Sequence, residues 1–360
     1  MSTIKTDLKG EIQKLIEATW EQTENELGCE GGFKELLQEY VGMPDGSNIL
    51  LETLYGLALA INPAIDLEYI EPFLMTCHYM HRASLICDDI VDADKDNSLP
   101  GKYGNSRSLL IGLVAWWLTE RQLARFAYNQ KCGHNTSINV LELVDYIHKS
   151  LLLATRGQFE ETDRPEKIIS IAECLERVAA KSGLFTEMVF KVTALAAGAG
   201  EEEAGKYGEV GYRLGLITQL AGDLVSCYDP NSRRNSIACR HFSLPVAYAL
   251  THFTLKDEIT RLWHSVQGPV IVHESPGDVE IDRRNNNKRL LHLIEEAGGM
   301  LSTILLMHQV NAELEALLNV ERECYNKPQK EELNQAVLNL ARRHLKTCAP
   351  LLRASITETA

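Results

Sequence analysis

The sequence predicts an all-α protein, a single large helical bundle running from residue 1 to residue 360. Three observations predict it. Apolar residues recur at i, i+3 and i+4 over long segments, no comparable series of alternating strands is present, and the breaks between segments carry glycine, proline and asparagine turn chemistry.

The N-terminus, MSTIKTDLKGEIQKL, is interrupted by charge before any apolar run could act as a signal peptide, and the periodic pattern then predicts a helix over 8–26. GMPDG at 42–46 is a break, after which helices are expected over 48–63 and 68–93. NSLPG at 97–101 precedes the next, over 106–128. That segment holds the longest apolar run, LLIGLVAWWL at 109–118. It is far short of the roughly 20 residues that cross a bilayer, so it reads as a buried helix and no transmembrane segment is expected.

KCGHN at 131–135 and AGAGEEEAG at 197–205 separate helices over 138–160, 168–196 and 205–228. Helices over 237–252, 284–312 and 329–347 complete the series. QGPVIVHESPGD at 267–278 reads as a surface excursion within one domain, and the lack of an internal repeat excludes a helical solenoid.

An apolar fraction of 45% and a charged fraction of 24% exclude a disordered chain. Lys plus Arg number 36 against 50 Asp plus Glu, and the resulting charge of −14 opposes binding to nucleic acid. An anionic ligand would need clustered bases or a bound divalent cation. The nine cysteines are odd in number, scattered and form no CxxC pair, which suggests neither a disulfide framework nor a zinc cluster and predicts reduced thiols in a cytoplasmic protein.

The chemistry concentrates in CDDIVDAD at 87–94, directly after the apolar helical pattern HYMHRASLI. In a helix Asp88 and Asp92 share a face at i,i+4, and Asp89 joins Asp92 at i,i+3. Carboxylates near a helix C-terminus gain nothing from the dipole, which favours cations there. Magnesium resolves both the mutual repulsion and the dipole mismatch, because it takes oxygen ligands and bridges carboxylates to phosphates. The other reading of such a stretch is a solvated acidic helix end.

HRASLICDDIVDAD at 81–94 resembles the first aspartate-rich motif of the trans-isoprenyl diphosphate synthase (polyprenyl synthetase) family, whose fold class I terpene synthases share. The resemblance covers nearly the whole chain. KSGLF at 181–185 is similar to the family's Lys-Thr segment, and GYRLGLITQLAGDLV at 211–225 to the helix of the second aspartate-rich motif. It implies an isoprenoid synthase-type bundle around a central cavity, a homodimer, and magnesium on Asp88, Asp89, Asp92 and Asp223. Lys181 is then a diphosphate contact, with Gln219, Ser226 and His241 also at the substrate. His81 is the main polar residue retained at the second-substrate site. Met80, Ala83 and Ser84 line the hydrocarbon tunnel beneath Asp88; two of the three are small, which implies a prenyl diphosphate of C15 or longer.

The departures set the functional expectation. Where the family resembles GGKRLRP this chain reads DGSNILL at 45–51, so Ser47 and Leu50 replace expected bases. KDNSLPG at 95–101 lacks the paired arginines that follow the first motif, Gly222 and Ser226 replace acids of the second, and His241 replaces a lysine. GDLVSCYDP at 222–230 also looks like an altered metal motif of terpene synthases. The reading drawn from these is a terpene synthase-like enzyme, a lyase that ionises one prenyl diphosphate to a hydrocarbon or alcohol. The alternatives are a divergent prenyltransferase that joins prenyl diphosphates and a non-catalytic partner subunit.

Overall fold

The computed structural model describes residues 8–28, 31–42, 49–91, 98–131, 139–163, 168–228, 242–266, 276–324 and 328–357. Among them it contains fifteen α-helices, two π-helical turns and no strand, so the all-α expectation holds. In chain order the helices are α1 (Leu8–Leu27), α2 (Gly31–Leu37), α3 (Ile49–Ile61), α4 (Leu67–Val91), α5 (Leu99–Tyr103), α6 (Asn105–Lys131), α7 (Val140–Asp163) and α8 (Ile171–Val178). They continue with α9 (Leu184–Ala196), α10 (Glu201–Tyr228), α11 (Leu244–Ala249), α12 (Lys256–Val266), α13 (Pro276–Glu296), α14 (Gly299–Cys324) and α15 (Pro328–Thr357). The π turns span Gln38–Gly42 and Ala179–Gly183.

The chain divides into two compact units. The first comprises Met1–Ile147, Met188–Gly208 and Glu321–Val337, and the second His148–Glu187, Glu209–Val320 and Leu338–Ala360.

In the first unit α4 is the central element. Nearly every side chain from Tyr69 to Met80 is buried, so this stretch is covered on all sides. Phe126 of α6 packs against Phe73 and Tyr69 of α4 with ring centroids 5.1 and 5.5 Å apart. Further along, Gly112 of α6 lies against Ile86; a Cβ there would sit 3.2 Å from Ile86 Cγ2, so glycine allows the close approach. Glu71 is buried in α4, and its carboxylate accepts from Thr19 Oγ1 of α1 at 2.8 Å and pairs with Arg125 of α6 at 3.4 Å. A buried carboxylate is costly without such partners, so the contact ties three helices at one point.

In the second unit Ser170 and Glu173 form a reciprocal capping box that starts α8. The single helix expected over 168–196 is interrupted by the π turn Ala179–Gly183. The segment expected as one helix over 284–312 is also broken, between α13 and α14, where Gly298 adopts φ +77°. Phe242 and Trp263 pack edge to face with centroids 5.4 Å apart. Among the described residues no single helix is long and apolar enough to cross a membrane.

Candidate active site

The candidate residues fall into one set in each unit. The first stands at the C-terminal end of α4. Asp88 and Asp89 are half-buried there, in a last turn that holds no basic residue. The Cys87 thiol beside them is pushed up, first by burial and then by the Asp88 charge. Neighbouring carboxylates at the negative end of a helix dipole, built of hard oxygen donors, fit a divalent cation of the magnesium type. Asp92 and Asp94 lie outside the described residues. Among the described residues no cluster of three or more His, Cys, Asp or Glu side chains gathers to hold a metal; Asp88 and Asp89 are the candidate carboxylates described at this end of α4.

One turn before Asp88, Ser84 is exposed and its hydroxyl donates to the His81 carbonyl at 2.8 Å. Leu85 beside it is also exposed, while Ala83 and Met80 are buried. The open strip beneath Asp88 therefore extends one turn along α4 before the helix is covered. His81 is pushed down to about 4 by loss of water and then by the Arg82 charge, so its imidazole is neutral at pH 7. A neutral imidazole offers a hydrogen bond to a phosphate without adding charge.

The second set lies on the π turn and α10. A π turn inserts one residue into the helical register and re-aims the side chains that follow; here that residue run carries Lys181 and Ser182. Both are half-buried. Ser182 Oγ donates to Gln219 Oε1 at 2.6 Å, and Gln219 Nε2 donates to Asp223 Oδ1 at 2.9 Å. Ser226 Oγ donates to the Asp223 carbonyl at 3.0 Å. The structure thus joins Gln219, Asp223 and Ser226, and adds Ser182, which the sequence reading passed over. Gly222 is exposed, and among the described residues a Cβ there would meet nothing within 4 Å. His241 and Ser47 lie outside the described residues.

The family model for polyprenyl synthetase matches residues 48–267, more than half of the chain. The chain belongs to the polyprenyl synthetase family. Geranylgeranyl diphosphate synthase of Methanosarcina mazei is 25% identical over 170 residues, 46% of this chain and 50% of that protein. Geranylfarnesyl diphosphate synthase of Aeropyrum pernix is 28% identical over 165 residues, 43% of this chain and 49% of that one. The short chain isoprenyl diphosphate synthase of Methanocaldococcus jannaschii is 24% identical over 166 residues, 44% and 48% of the two chains. This polyprenyl synthetase family chain spans about half the length of the curated relatives it matches.

Solved structures extend the likeness of fold over nearly the whole chain. Heptaprenyl diphosphate synthase from Staphylococcus aureus superposes with a TM-score of 0.75 at 12% identity, covering 95% of this chain and 99% of that one. Polyprenyl synthase from Caulobacter crescentus, complexed with calcium and isoprenyl diphosphate, gives 0.72 at 15% identity, with 95% and 98% covered.

These comparisons correct the terpene synthase-like reading. The relatives are named as synthases of geranylgeranyl, short-chain isoprenyl and geranylfarnesyl diphosphates. Such products keep a diphosphate, which a lyase that ionises its one substrate to a hydrocarbon or alcohol does not deliver. The departures that suggested a lyase, at Ser47, Leu50, Gly222 and His241, are absences of a base or an acid at single positions. An absent base or acid does not by itself specify which bond a reaction forms.

Proposed function

We propose that this chain is a trans-prenyltransferase, an enzyme working as one isoprenoid synthase-type domain that elongates an allylic prenyl diphosphate with isopentenyl diphosphate. The observation that carries the reading is the carboxylate pair Asp88 and Asp89 at the open end of α4, in a chain of this family whose curated relatives make isoprenyl diphosphates.

Asp88, Asp89 and Asp92 are assigned as one magnesium-binding set and Asp223 as a further ligand. Bound there, magnesium supplies neutralisation of the diphosphate charge that develops as the allylic carbon–oxygen bond breaks. Lys181 is assigned, as the family resemblance implies, as a cationic contact to a diphosphate. The terminal alkene of isopentenyl diphosphate then forms the new carbon–carbon bond, a proton leaves the adjacent carbon, and inorganic diphosphate is the leaving group. His81, neutral at pH 7, orients the second diphosphate by hydrogen bonding, in place of a charged contact. Exposed Ser84 and small Ala83 leave room beneath the reacting carbon, which supports chains of C15 or longer.

Two further readings have support. Along α6, Leu110, Leu113 and Trp117 form an exposed apolar stripe, with Trp117 62% exposed, and Tyr128 is exposed further along the same helix beyond Arg121. A stripe of large side chains at helical spacing suits a second copy of the chain, and light scattering coupled to size exclusion tests for the homodimer. Free cysteines at 77, 87, 174, 227 and 348 support a cytoplasmic location.

The test is incubation of the purified protein and magnesium with labelled isopentenyl diphosphate and C10, C15 and C20 allylic diphosphates, with products resolved by mass spectrometry. The expected product is a diphosphate longer by one or more C5 units. Absence of label in any longer diphosphate, from folded protein, overturns the proposal.

A further inference from the structure

We propose that Ser182 is a positioning residue for metal binding, acting through Gln219 to hold the Asp223 carboxylate in one orientation. The proposal rests on the assignment of Asp223 as a magnesium ligand.

The direction of the hydrogen bonds forces a single arrangement. An ionised carboxylate only accepts, so the Gln219 amide must present its nitrogen to Asp223, and the two are 2.9 Å apart. That choice turns the amide oxygen the other way, where it needs a donor. The Ser182 hydroxyl supplies it at 2.6 Å. Without the hydroxyl the amide loses the contact that fixes its orientation, and Asp223 loses a fixed donor.

The backbone around Ser182 is shaped to bring the hydroxyl there. The π turn carries Ser182 toward α10, and two glycines remove the side chains that would hold the segments apart. A Cβ on Gly183 would meet the Tyr212 ring at 2.9 Å. A Cβ on Gly215 would fall well inside contact distance of the Ser182 carbonyl oxygen. That same carbonyl accepts from Thr186 Oγ1 at 2.9 Å, which fixes the Ser182 backbone from the other side. π turns concentrate at functional sites because they aim side chains that a regular helix would misdirect.

The arrangement matters more in this chain because glycine stands at 222, where the second motif of the family carries an acid beside Asp223. With one carboxylate of the adjacent pair left, more of the site depends on how that carboxylate is held. Groups that orient metal ligands are typically worth roughly 10- to 100-fold in metal affinity.

The experiment is isothermal titration calorimetry of magnesium into the full-length protein with inorganic diphosphate present, for wild type, Ser182→Ala, Ser182→Thr, Gln219→Leu and Asp223→Asn. Thermal melts confirm folding. Affinity is expected to fall roughly 10- to 100-fold in Ser182→Ala and in Gln219→Leu, and to return to the wild-type range in Ser182→Thr, which keeps the hydroxyl. Wild-type affinity in Ser182→Ala, with a loss in Asp223→Asn, overturns the role of Ser182 and leaves Asp223 as a ligand. Wild-type affinity in Asp223→Asn overturns the ligand assignment itself. Should Ser182→Ala fail to fold, Gln219→Leu decides by the same comparison.

Discussion

Replacing Gly222 by Asp restores an acid that the second aspartate-rich motif lacks, and the structure allows its consequences to be worked through. The position is exposed and within α10, and a Cβ meets no described atom within 4 Å, so the substitution carries no steric cost. Helix propensity favours aspartate over glycine by about 0.3 kcal/mol. The added charge stands beside Asp223, and two carboxylates about 5 Å apart in water repel by about 0.8 kcal/mol. Exposure makes the aqueous value the appropriate one. Without metal the variant should therefore lose about 0.5 kcal/mol, close to neutral for a chain of this size.

Magnesium reverses the sign. A tenfold gain in affinity from the extra oxygen ligand corresponds to about 1.4 kcal/mol at saturation, which exceeds the loss. Half-saturating magnesium in an isopentenyl diphosphate incorporation assay should fall about tenfold in Gly222→Asp. Calorimetry should show a magnesium-induced rise in Tm larger than that of wild type by roughly 2 °C. A folded variant with unchanged half-saturating magnesium would refute the reasoning, since the carboxylate would then be near no metal.

Asp88→Asn/Asp89→Asn should melt like the wild type yet lose magnesium-dependent product formation, because amides preserve packing without the ligand charge; unchanged turnover would remove α4 from the site. Ser84→Phe should shorten the products by filling the exposed strip one turn, about 5.4 Å, below Asp88, and an identical product profile in an active variant would reject that strip as the tunnel wall. His78, whose Nε2 lies 2.9 Å from the Val41 carbonyl, is held at about 4 mainly by burial. The unfolded chain binds its proton near 6.5, so stability should be full above that value and decline as the pH falls toward 4, by an amount on the order of 3 kcal/mol. Urea melts across this window should show a shallower decline in His78→Gln, which keeps a donor for Val41 and cannot titrate; an equal slope would show that other groups set the acid limit.

The helices were legible because amphipathic period is a local property: the apolar spacing over 8–26 and 106–128 is realised as Leu8–Leu27 and Asn105–Lys131. Short elements were harder to find. Gly31–Leu37 and Leu99–Tyr103 offer too few residues for a period, and the latter starts on the Ser98 cap inside what reads as a turn. The break at Gly298 lies within a pattern that stays apolar on both sides, so periodicity runs through it.

For the candidate site, the sequence by itself determined the chemical inventory: Asp88 and Asp89 at the end of an apolar helix, Asp223 four residues after Gln219, and glycine in place of an acid at 222. It also carried the family, because motif spacing survives where overall identity is low. The choice between elongation and cyclisation was misread, since absent bases at single positions count contacts and do not specify the bond formed. Only the tertiary structure decided that α4 is open at Ser84 and covered at Met80, two positions that helical spacing alone makes equivalent. Only it brought Ser182 within 2.6 Å of Gln219, across 37 residues of sequence. That contact depends on a π turn and on the close approach allowed at Gly183 and Gly215, and such an approach is set by the packing of two segments, which no local pattern encodes.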